Sequence, residues 1–111
     1  MNKKIISVLI PVYNVERFIE RFVISLFTNT IAEKCEFIFV DDCSPDDSVK
    51  IINKLMPQFK NMKDSVIILH HDRNRGLAAA RNTALLQAHG KYIICVDSDD
   101  WLEPDYLEKL Y

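Results

Sequence analysis

A chain of 111 residues, 49% of them hydrophobic, is long enough for one domain with a buried core. Its net charge of -2 excludes a strongly basic surface for nucleic acid. Its three cysteines, an odd number without C-x-x-C spacing, argue against a disulfide framework or a structural zinc site and fit a reducing, cytoplasmic setting.

The first apolar run, residues 5–10, follows two lysines and superficially mimics a signal peptide. Pro11 interrupts it, charges follow at Glu16 and Arg17, and no cleavage site is present, so we interpret it as a strand. No stretch of the chain approaches the roughly 18 apolar residues of a membrane span. Apolar residues from Val15 to Phe27 then recur at helical spacing, which predicts a helix with Asn14 as its N-cap.

The second and third units repeat this pattern. Residues 36–40 and 65–70 predict strands, and the helix after the first of these is expected to open with Ser44 as cap and Pro45 at its first position. A third helix runs from Leu77 and is expected to end at Gly90 as its C′ residue. Its small alanines should allow it to lie close to the sheet.

The fourth unit is a strand over residues 91–96 and a helix beginning at Pro104. All four runs are nearly continuous in apolar residues, as in parallel strands buried on both faces; Cys95 is therefore interpreted as a core residue. The βαβαβαβα order predicts a Rossmann-like three-layer α/β/α domain over residues 1–111, with strand order 3-2-1-4. Because Leu107 and Leu110 would need a partner, we expect a fragment of a longer chain; a small complete domain is the alternative.

Polar segments follow three of the predicted strands, at residues 11–14, 41–44 and 97–100. In an open parallel sheet, ligands bind outside the carboxyl ends of the strands, at the point where strand order reverses. With order 3-2-1-4 that point lies between strands one and four. The three segments are therefore predicted to meet at one edge.

Acidic residues crowd these segments. Seven of the ten aspartates lie in loops at this edge, at positions 41, 42, 46, 47, 97, 99 and 100. Carboxylates held together raise one another's pKa or attract a cation, and a hard divalent ion prefers oxygen ligands. Asp97 and Asp99 project to the same side of an extended loop. Because Ser44 and the residues after it supply a helix cap, Asp41 and Asp42 are interpreted as functional and not structural.

The segment before the third helix offers a second feature. Gly76 permits a tight turn, the helix N-terminus favours anions, and Arg81 lies within reach of the same crevice. An ordinary loop-to-helix junction is the alternative. The three histidines, at positions 70, 71 and 89, have no ligand-like spacing and are expected in core or surface roles. Trp101 is expected to pack against the last helix or to line the site.

Together these segments resemble the family 2 glycosyltransferases of the GT-A fold. The motifs that carry the resemblance are residues 8–14 (VLIPVYN), 40–44 (VDDCS), 74–76 (NRG) with 80–82 (ARN), and 97–100 (DSDD). They span nearly the whole chain in the family's order. Four motifs in sequence are far more specific than the isolated Asp-x-Asp, which occurs in many solvated turns.

The resemblance implies a metal-dependent, inverting transfer of a sugar from a nucleotide-diphosphate sugar, with uracil the usual base, to an acceptor hydroxyl. Asp41 would accept a hydrogen bond from the base, and Asp99 would bind Mn²⁺ or Mg²⁺ at the diphosphate. The acceptor would be a glycan, a lipid-linked molecule or a protein, as in polysaccharide biosynthesis. The residues expected to contact the nucleotide sugar are Pro11, Val12, Tyr13, Asn14, Asp41, Asp42, Gly76, Arg81, Asp97 and Ser98. The residues expected to hold the metal are Asp97 and Asp99.

The family's catalytic base lies in the second half of the domain, so it is expected beyond Tyr111. The isolated chain is accordingly expected to bind the donor weakly and to transfer nothing. The chain is expected in the cytoplasm, with its parent enzyme at the inner face of the membrane.

Three other classes of protein share parts of this pattern. A receiver-type signalling domain would carry its acidic pair after the first strand, where this chain has residues 11–14. A sugar nucleotidyltransferase would need a Gly-rich, basic loop at that place, and that loop is missing. A non-catalytic nucleotide-binding module remains open.

Overall fold

The computed structural model describes residues 4–99 and 101–111. Helices and strands alternate along the chain, with short 3-10 helices before the second strand and before the third. The strands are β1 (Ile6–Val12), β2 (Cys35–Asp41), β3 (Val66–His70) and β4 (Tyr92–Cys95). The helices are α1 (Ile19–Phe27), α2 (Ser48–Leu55), α3 (Leu77–Leu85) and α4 (Tyr106–Leu110).

The four strands form one parallel sheet in the order β3-β2-β1-β4, which confirms the predicted order. Val12 of β1 lies beside Asp41 of β2, and Asp41 lies beside His70 of β3. The carboxyl ends of these three strands therefore form one rim of the sheet.

Helices cover both faces of the sheet, as the three-layer prediction requires. On one face, alternate residues of β1 pack with the buried stripes of α1 and α2, and Phe27 makes edge-to-face ring contacts with Phe37 and Phe39. On the other face, Ala80 and Ala84 of α3 pack on the central strands. Without large side chains at these two positions, α3 lies directly on the sheet, as predicted.

Two predicted helix starts are wrong. Asn14 does not cap α1, which begins five residues later at Ile19, and Ser44 does not cap α2, which begins at Ser48. Neither helix has a side-chain hydrogen bond at its N-cap. The reason is tertiary: the polar side chains before α2 bind backbone N–H groups of the loop before α1.

The end of α3 also differs from the prediction. The helix stops at Leu85, and Gly90 is not in the positive-φ conformation of a C′ glycine. Gly90 instead lies against β1, where its N–H donates to Ser7 Oγ at 2.7 Å. A Cβ on Gly90 would lie 2.6 Å from the Ser7 backbone nitrogen. The glycine is needed for close approach to the sheet, and not to end a helix.

The predicted burial of all four strands holds for β1 and β2 alone. β3 is partly exposed along its length, and most of β4 is exposed. Cys95 is exposed, so its assignment to the core is wrong. The physical reason is position, because β3 and β4 are the outer strands of the described sheet.

Candidate functional site

A cleft of about 140 Å³ opens at the carboxyl ends of β1 and β4. It is lined by residues from three distant parts of the chain: Pro11, Tyr13, Val15, Leu77, Asp97, Ser98 and Asp99. Ser98 Oγ donates a hydrogen bond of 2.7 Å to the carbonyl oxygen of Pro11, which ties the loop after β4 to the end of β1. Two of the three segments that were predicted to meet at this rim, those that begin at Pro11 and at Asp97, therefore do so.

The loop after β4 turns its polar side chains in alternate directions. Ser98 is buried, with 4% of its surface exposed, whereas Asp97 and Asp99 on either side are exposed. The two carboxylates thus remain available at the cleft while the serine between them anchors the loop. Asp100, which was expected at the same rim, lies outside the described residues.

Asp97 and Asp99 are suitable ligands for a divalent cation, because both offer hard oxygen atoms. Within residues 4–99 and 101–111, no group of three or more His, Cys, Asp or Glu side chains is placed to hold a metal. A cation at Asp97 and Asp99 would thus need further oxygens from water or from a ligand. A diphosphate supplies such oxygens.

Asp41 ends β2 next to the cleft. Its Oδ1 accepts the backbone N–H of Ser44 at 2.9 Å, and its Oδ2 lies 3.1 Å from Nδ1 of His70. The side chain keeps 17% of its surface exposed. It does not line the cleft, but its partner in β1, Val12, directly precedes Tyr13, which does.

Asp42 is buried, and its carboxylate is used inside the protein. Oδ1 lies 2.8 Å from His71 Nδ1 and accepts the N–H of Arg75 at 2.8 Å, while Oδ2 accepts the N–H of Gly76 at 2.9 Å. Burial alone would raise the pKa of Asp42, but the hydrogen bonds from His71, Arg75 and Gly76 outweigh it and lower the pKa. The interpretation that Asp42 is redundant for structure is wrong, since it holds the segment before α3.

His71 completes this buried arrangement. Its Nε2 lies 2.7 Å from Thr83 Oγ1, and that hydroxyl also donates to the carbonyl oxygen of Ala79. The side chains of His71 and Asp42 are 4% and 5% exposed. The prediction of a core or surface role for His71 is confirmed, but its acidic partner, 29 residues away, had no signal in the sequence.

Gly76 has the left-handed φ of 95° that its predicted turn requires, and α3 begins at the next residue. Arg81 is exposed on α3 and is not among the residues that line the cleft. Leu77 lines it instead, with half its surface exposed. Sequence reasoning missed this residue, because its spacing from Ala80 and Ala84 places it on the same stripe of the helix, where an apolar side chain is expected to be buried.

The segment at the end of β1 likewise has both exposed and buried side chains. Tyr13 is exposed and lines the cleft, whereas the side chain of Val12 is fully buried in the core. Val12 takes part through its backbone, and its carbonyl oxygen accepts the N–H of Asp42 at 3.0 Å. Asn14 is exposed and lies outside the cleft lining.

A larger groove of about 510 Å³ lies elsewhere, beside the start of β3. It is lined by apolar side chains, an asparagine and two lysines: Asn53, Met56, Pro57, Lys60, Lys63, Val66 and Ile68. None of these side chains is a carboxylate. Its size alone does not make it the functional site, since the convergent polar groups of an α/β sheet belong at the strand ends.

The model of the family described as "Glycosyl transferase family 2" matches residues 7–111, from the start of β1 through the cleft to the last helix. The chain belongs to this family. The resemblance in the motifs is thereby confirmed, as is the GT-A fold, which also appears in similar solved structures. Membership argues against the receiver-type alternative.

Glycosyltransferase GlyA of Streptococcus pneumoniae is 41% identical to the chain over 106 residues, which are 96% of the chain and 14% of GlyA. TarS of S. aureus, in a crystal structure with UDP, aligns with a TM-score of 0.83 at 30% identity, over 96% of this chain and 30% of that one. A mannosyltransferase of Pyrobaculum calidifontis, in complex with GDP-Man and Mn²⁺, gives a TM-score of 0.81 at 25% identity, over 86% of this chain and 28% of that one. The chain therefore spans less than a third of each of these proteins.

Among the described residues, no helix combines the length and the apolar character that crossing a bilayer requires.

Proposed function

We propose that the cleft binds a nucleotide-diphosphate sugar, and that the chain is the donor-binding part of an inverting, metal-dependent glycosyltransferase. The donor is a UDP-sugar, and the acceptor is a hydroxyl group of a glycan, a lipid-linked molecule or a protein in polysaccharide biosynthesis. The observation that carries the proposal is the meeting of the segments around residues 13 and 98 in one cleft, beside Asp41. The fact that TarS binds UDP supports uridine as the nucleoside.

Each residue of the site has a proposed part. The backbone of residues 11–14 forms the wall of the nucleotide pocket, and Asp41 accepts a hydrogen bond from the base. Asp42 and Gly76 act indirectly, because the buried carboxylate fixes the turn before α3. Ser98 acts in the same indirect way, through its bond to Pro11. Arg81, exposed on α3, would need a ligand that extends beyond the cleft.

Asp97 and Asp99 are the proposed ligands of Mn²⁺ or Mg²⁺, with Asp97 also in reach of the ribose. A divalent ion, when bound, supplies positive charge that stabilises the diphosphate leaving group. The chain itself keeps the two carboxylates exposed and anchors the loop between them through the bond from Ser98 to Pro11. In the proposed inverting course, a carboxylate base deprotonates the acceptor hydroxyl.

Calorimetric titration with UDP, with and without Mn²⁺, tests the proposal. We expect binding that requires the metal, and we expect Asp99→Ala to abolish it. Asp64→Ala is the matched control, since Asp64 is exposed and precedes β3 at the opposite end of the sheet. Metal-independent binding that Asp99→Ala leaves unchanged would contradict the metal site, and no binding of UDP or GDP with metal would contradict the function.

A further inference from the structure

Two loops that flank the rim are joined by side-chain hydrogen bonds. They are the first loop, residues 13–18 between β1 and α1, and the second loop, residues 42–47 between β2 and α2. In three of these bonds, backbone N–H groups of the first loop donate to side chains that lie in the second loop or next to it. They are Asn14 N to Ser44 Oγ (2.8 Å), Val15 N to Ser48 Oγ (3.2 Å) and Glu16 N to Asp46 Oδ2 (3.0 Å).

A fourth bond runs in the opposite direction. Glu16 Oε1 accepts the backbone N–H of Asp47 at 3.2 Å. Each loop thus satisfies backbone donors of the other, and Asp46 Oδ1 in addition accepts the N–H of Ser48, the first residue of α2, at 3.1 Å.

Asp46 organises the three bonds to the first loop. Its Oδ1 accepts the hydroxyl protons of Ser44 at 2.5 Å and Ser48 at 2.6 Å. Because each hydroxyl has one proton, both serines must present lone pairs to Asn14 and Val15. Burial would raise the pKa of Asp46, but hydrogen bonds from Ser44, Ser48 and Glu16 lower it to about 2. Asp46 is therefore an ionised carboxylate at neutral pH.

The joined loops contain two left-handed residues that are not glycine. Asn14 has a φ of 56° and Cys43 a φ of 57°. This conformation costs roughly 1–2 kcal/mol for a residue with a Cβ, and asparagine tolerates it better than cysteine does. The bond from Asn14 to Ser44 holds the backbone in this conformation immediately after Tyr13, which lines the cleft.

We propose that Asp46 is a positioning residue for nucleotide binding, which fixes the first loop so that Tyr13 and Val15 form the cleft wall. This role rests on the function proposed above. Asp46 does not line the cleft, so it acts through the loop that it holds. In the sequence, Asp46 stood out as one of the acidic residues of the rim and Ser44 as part of a family motif, but neither was predicted to bind the first loop.

Asp46→Asn tests the proposal. The amide keeps one oxygen for the serine hydroxyls but turns an N–H₂ donor toward the N–H of Glu16, or, if flipped, toward the serines. In either orientation one group of bonds is lost. We expect the Kd for UDP with Mn²⁺ to rise about tenfold, as for the loss of one charged hydrogen bond. We also expect faster hydrogen exchange at the amides of Val15 and Glu16.

Two controls separate positioning from general stability. Asp47→Asn changes an exposed neighbour whose backbone, and not its side chain, takes part in the bonds described, and should leave the Kd unchanged. Glu36→Gln removes a buried carboxylate at the opposite end of β2, where it accepts from Ser7 and His89. It should lower the melting temperature without changing the Kd. If Asp46→Asn does not fold, Ser44→Ala removes the acceptor of the Asn14 N–H and one hydroxyl donor to Asp46, leaves the bonds of Val15 and Glu16 in place, and should raise the Kd by a smaller factor.

A Kd for Asp46→Asn within twofold of wild type would overturn the proposal, as would an equal rise in Glu36→Gln. These outcomes presuppose that the wild-type chain binds UDP. If it does not, the proposed function fails and the positioning role fails with it. Unchanged exchange at Val15 and Glu16 would reject the role of Asp46 in the loop independently of any ligand.

Discussion

At the residue scale, the aspartates of the rim divide into two groups. Asp42 and Asp46 are satisfied by hydrogen bonds from within the chain, and Asp41 partly so. Asp97 and Asp99 are exposed. The crowding of acid was interpreted as repulsion that a cation would relieve. Backbone N–H groups and hydroxyls relieve this repulsion at Asp42 and Asp46. A cation is therefore expected at Asp97 and Asp99.

Asp42→Asn should destabilise the chain by about 2 kcal/mol, because an amide cannot accept from all three donors that face the carboxylate and leaves a buried donor unsatisfied. Urea denaturation followed by circular dichroism measures this change. Asp72→Asn, at an exposed position shortly after β3, serves as the control and should leave stability unchanged. Equal midpoints for the two variants would show that the buried contacts of Asp42 contribute nothing net.

At the element scale, the glycines before and after α3 serve different purposes. Gly76 has a left-handed φ and open space around its Cβ position, so its backbone conformation is the constraint. Gly90 has an ordinary conformation but almost no space, because its Cβ would meet Ser7 and Ile6 backbone atoms within 2.8 Å. The approach of this segment to β1 thus depends on the missing side chain.

Alanine at each glycine distinguishes the two constraints. Gly90→Ala should cost about 2 kcal/mol because the sheet and the segment must move apart. Gly76→Ala should cost roughly 1–3 kcal/mol through backbone strain alone, because a φ of 95° with a ψ of 167° is a conformation that residues with a Cβ hardly populate. The free energies of unfolding from chemical denaturation give the comparison. A negligible cost for Gly90→Ala would contradict the packing described for that residue.

At the scale of the whole molecule, the sheet has polar interactions of different kinds at its two ends. The rim at the carboxyl ends holds the cleft, while Glu36 at the opposite end accepts from Ser7 and from the backbone of His89. Burial would raise the pKa of Glu36, but these hydrogen bonds and the nearby His89 side chain lower it. Buried carboxylates thus stabilise both ends.

The stability of the chain should fall in acid. Glu36, Asp42 and Asp46 have lowered pKa values in the folded state, so the unfolded chain binds more protons. Their contribution is complete above the ordinary pKa values of 4.5 and 3.8 and is lost as the pH falls through the folded values, which for Asp46 is about 2. The urea midpoint should therefore decline below about pH 4.5, and less steeply in Asp46→Asn. A wild-type midpoint that stays constant down to pH 3 would refute this linkage.

The fold was predictable because its signals are local. Continuous apolar runs marked the strands, apolar residues at helical spacing such as Phe22 and Leu26 marked α1, and the chirality of crossovers restricted the strand order. The rim followed from that order, which placed Tyr13 and Asp97 at one edge. The helix starts were not predictable, since Ser44 has the same local chemistry whether it caps its own helix or binds Asn14.

The sequence by itself determined the strand order, the family motifs and the edge where the polar segments meet, because periodicity and strand ends are properties of neighbouring residues. The tertiary structure decided which carboxylates are left for a ligand. Asp42 and Asp99 look alike in the sequence, but one is enclosed by N–H groups from a loop more than 30 residues away and the other is exposed. Such partners are brought together by folding, and no local pattern encodes them.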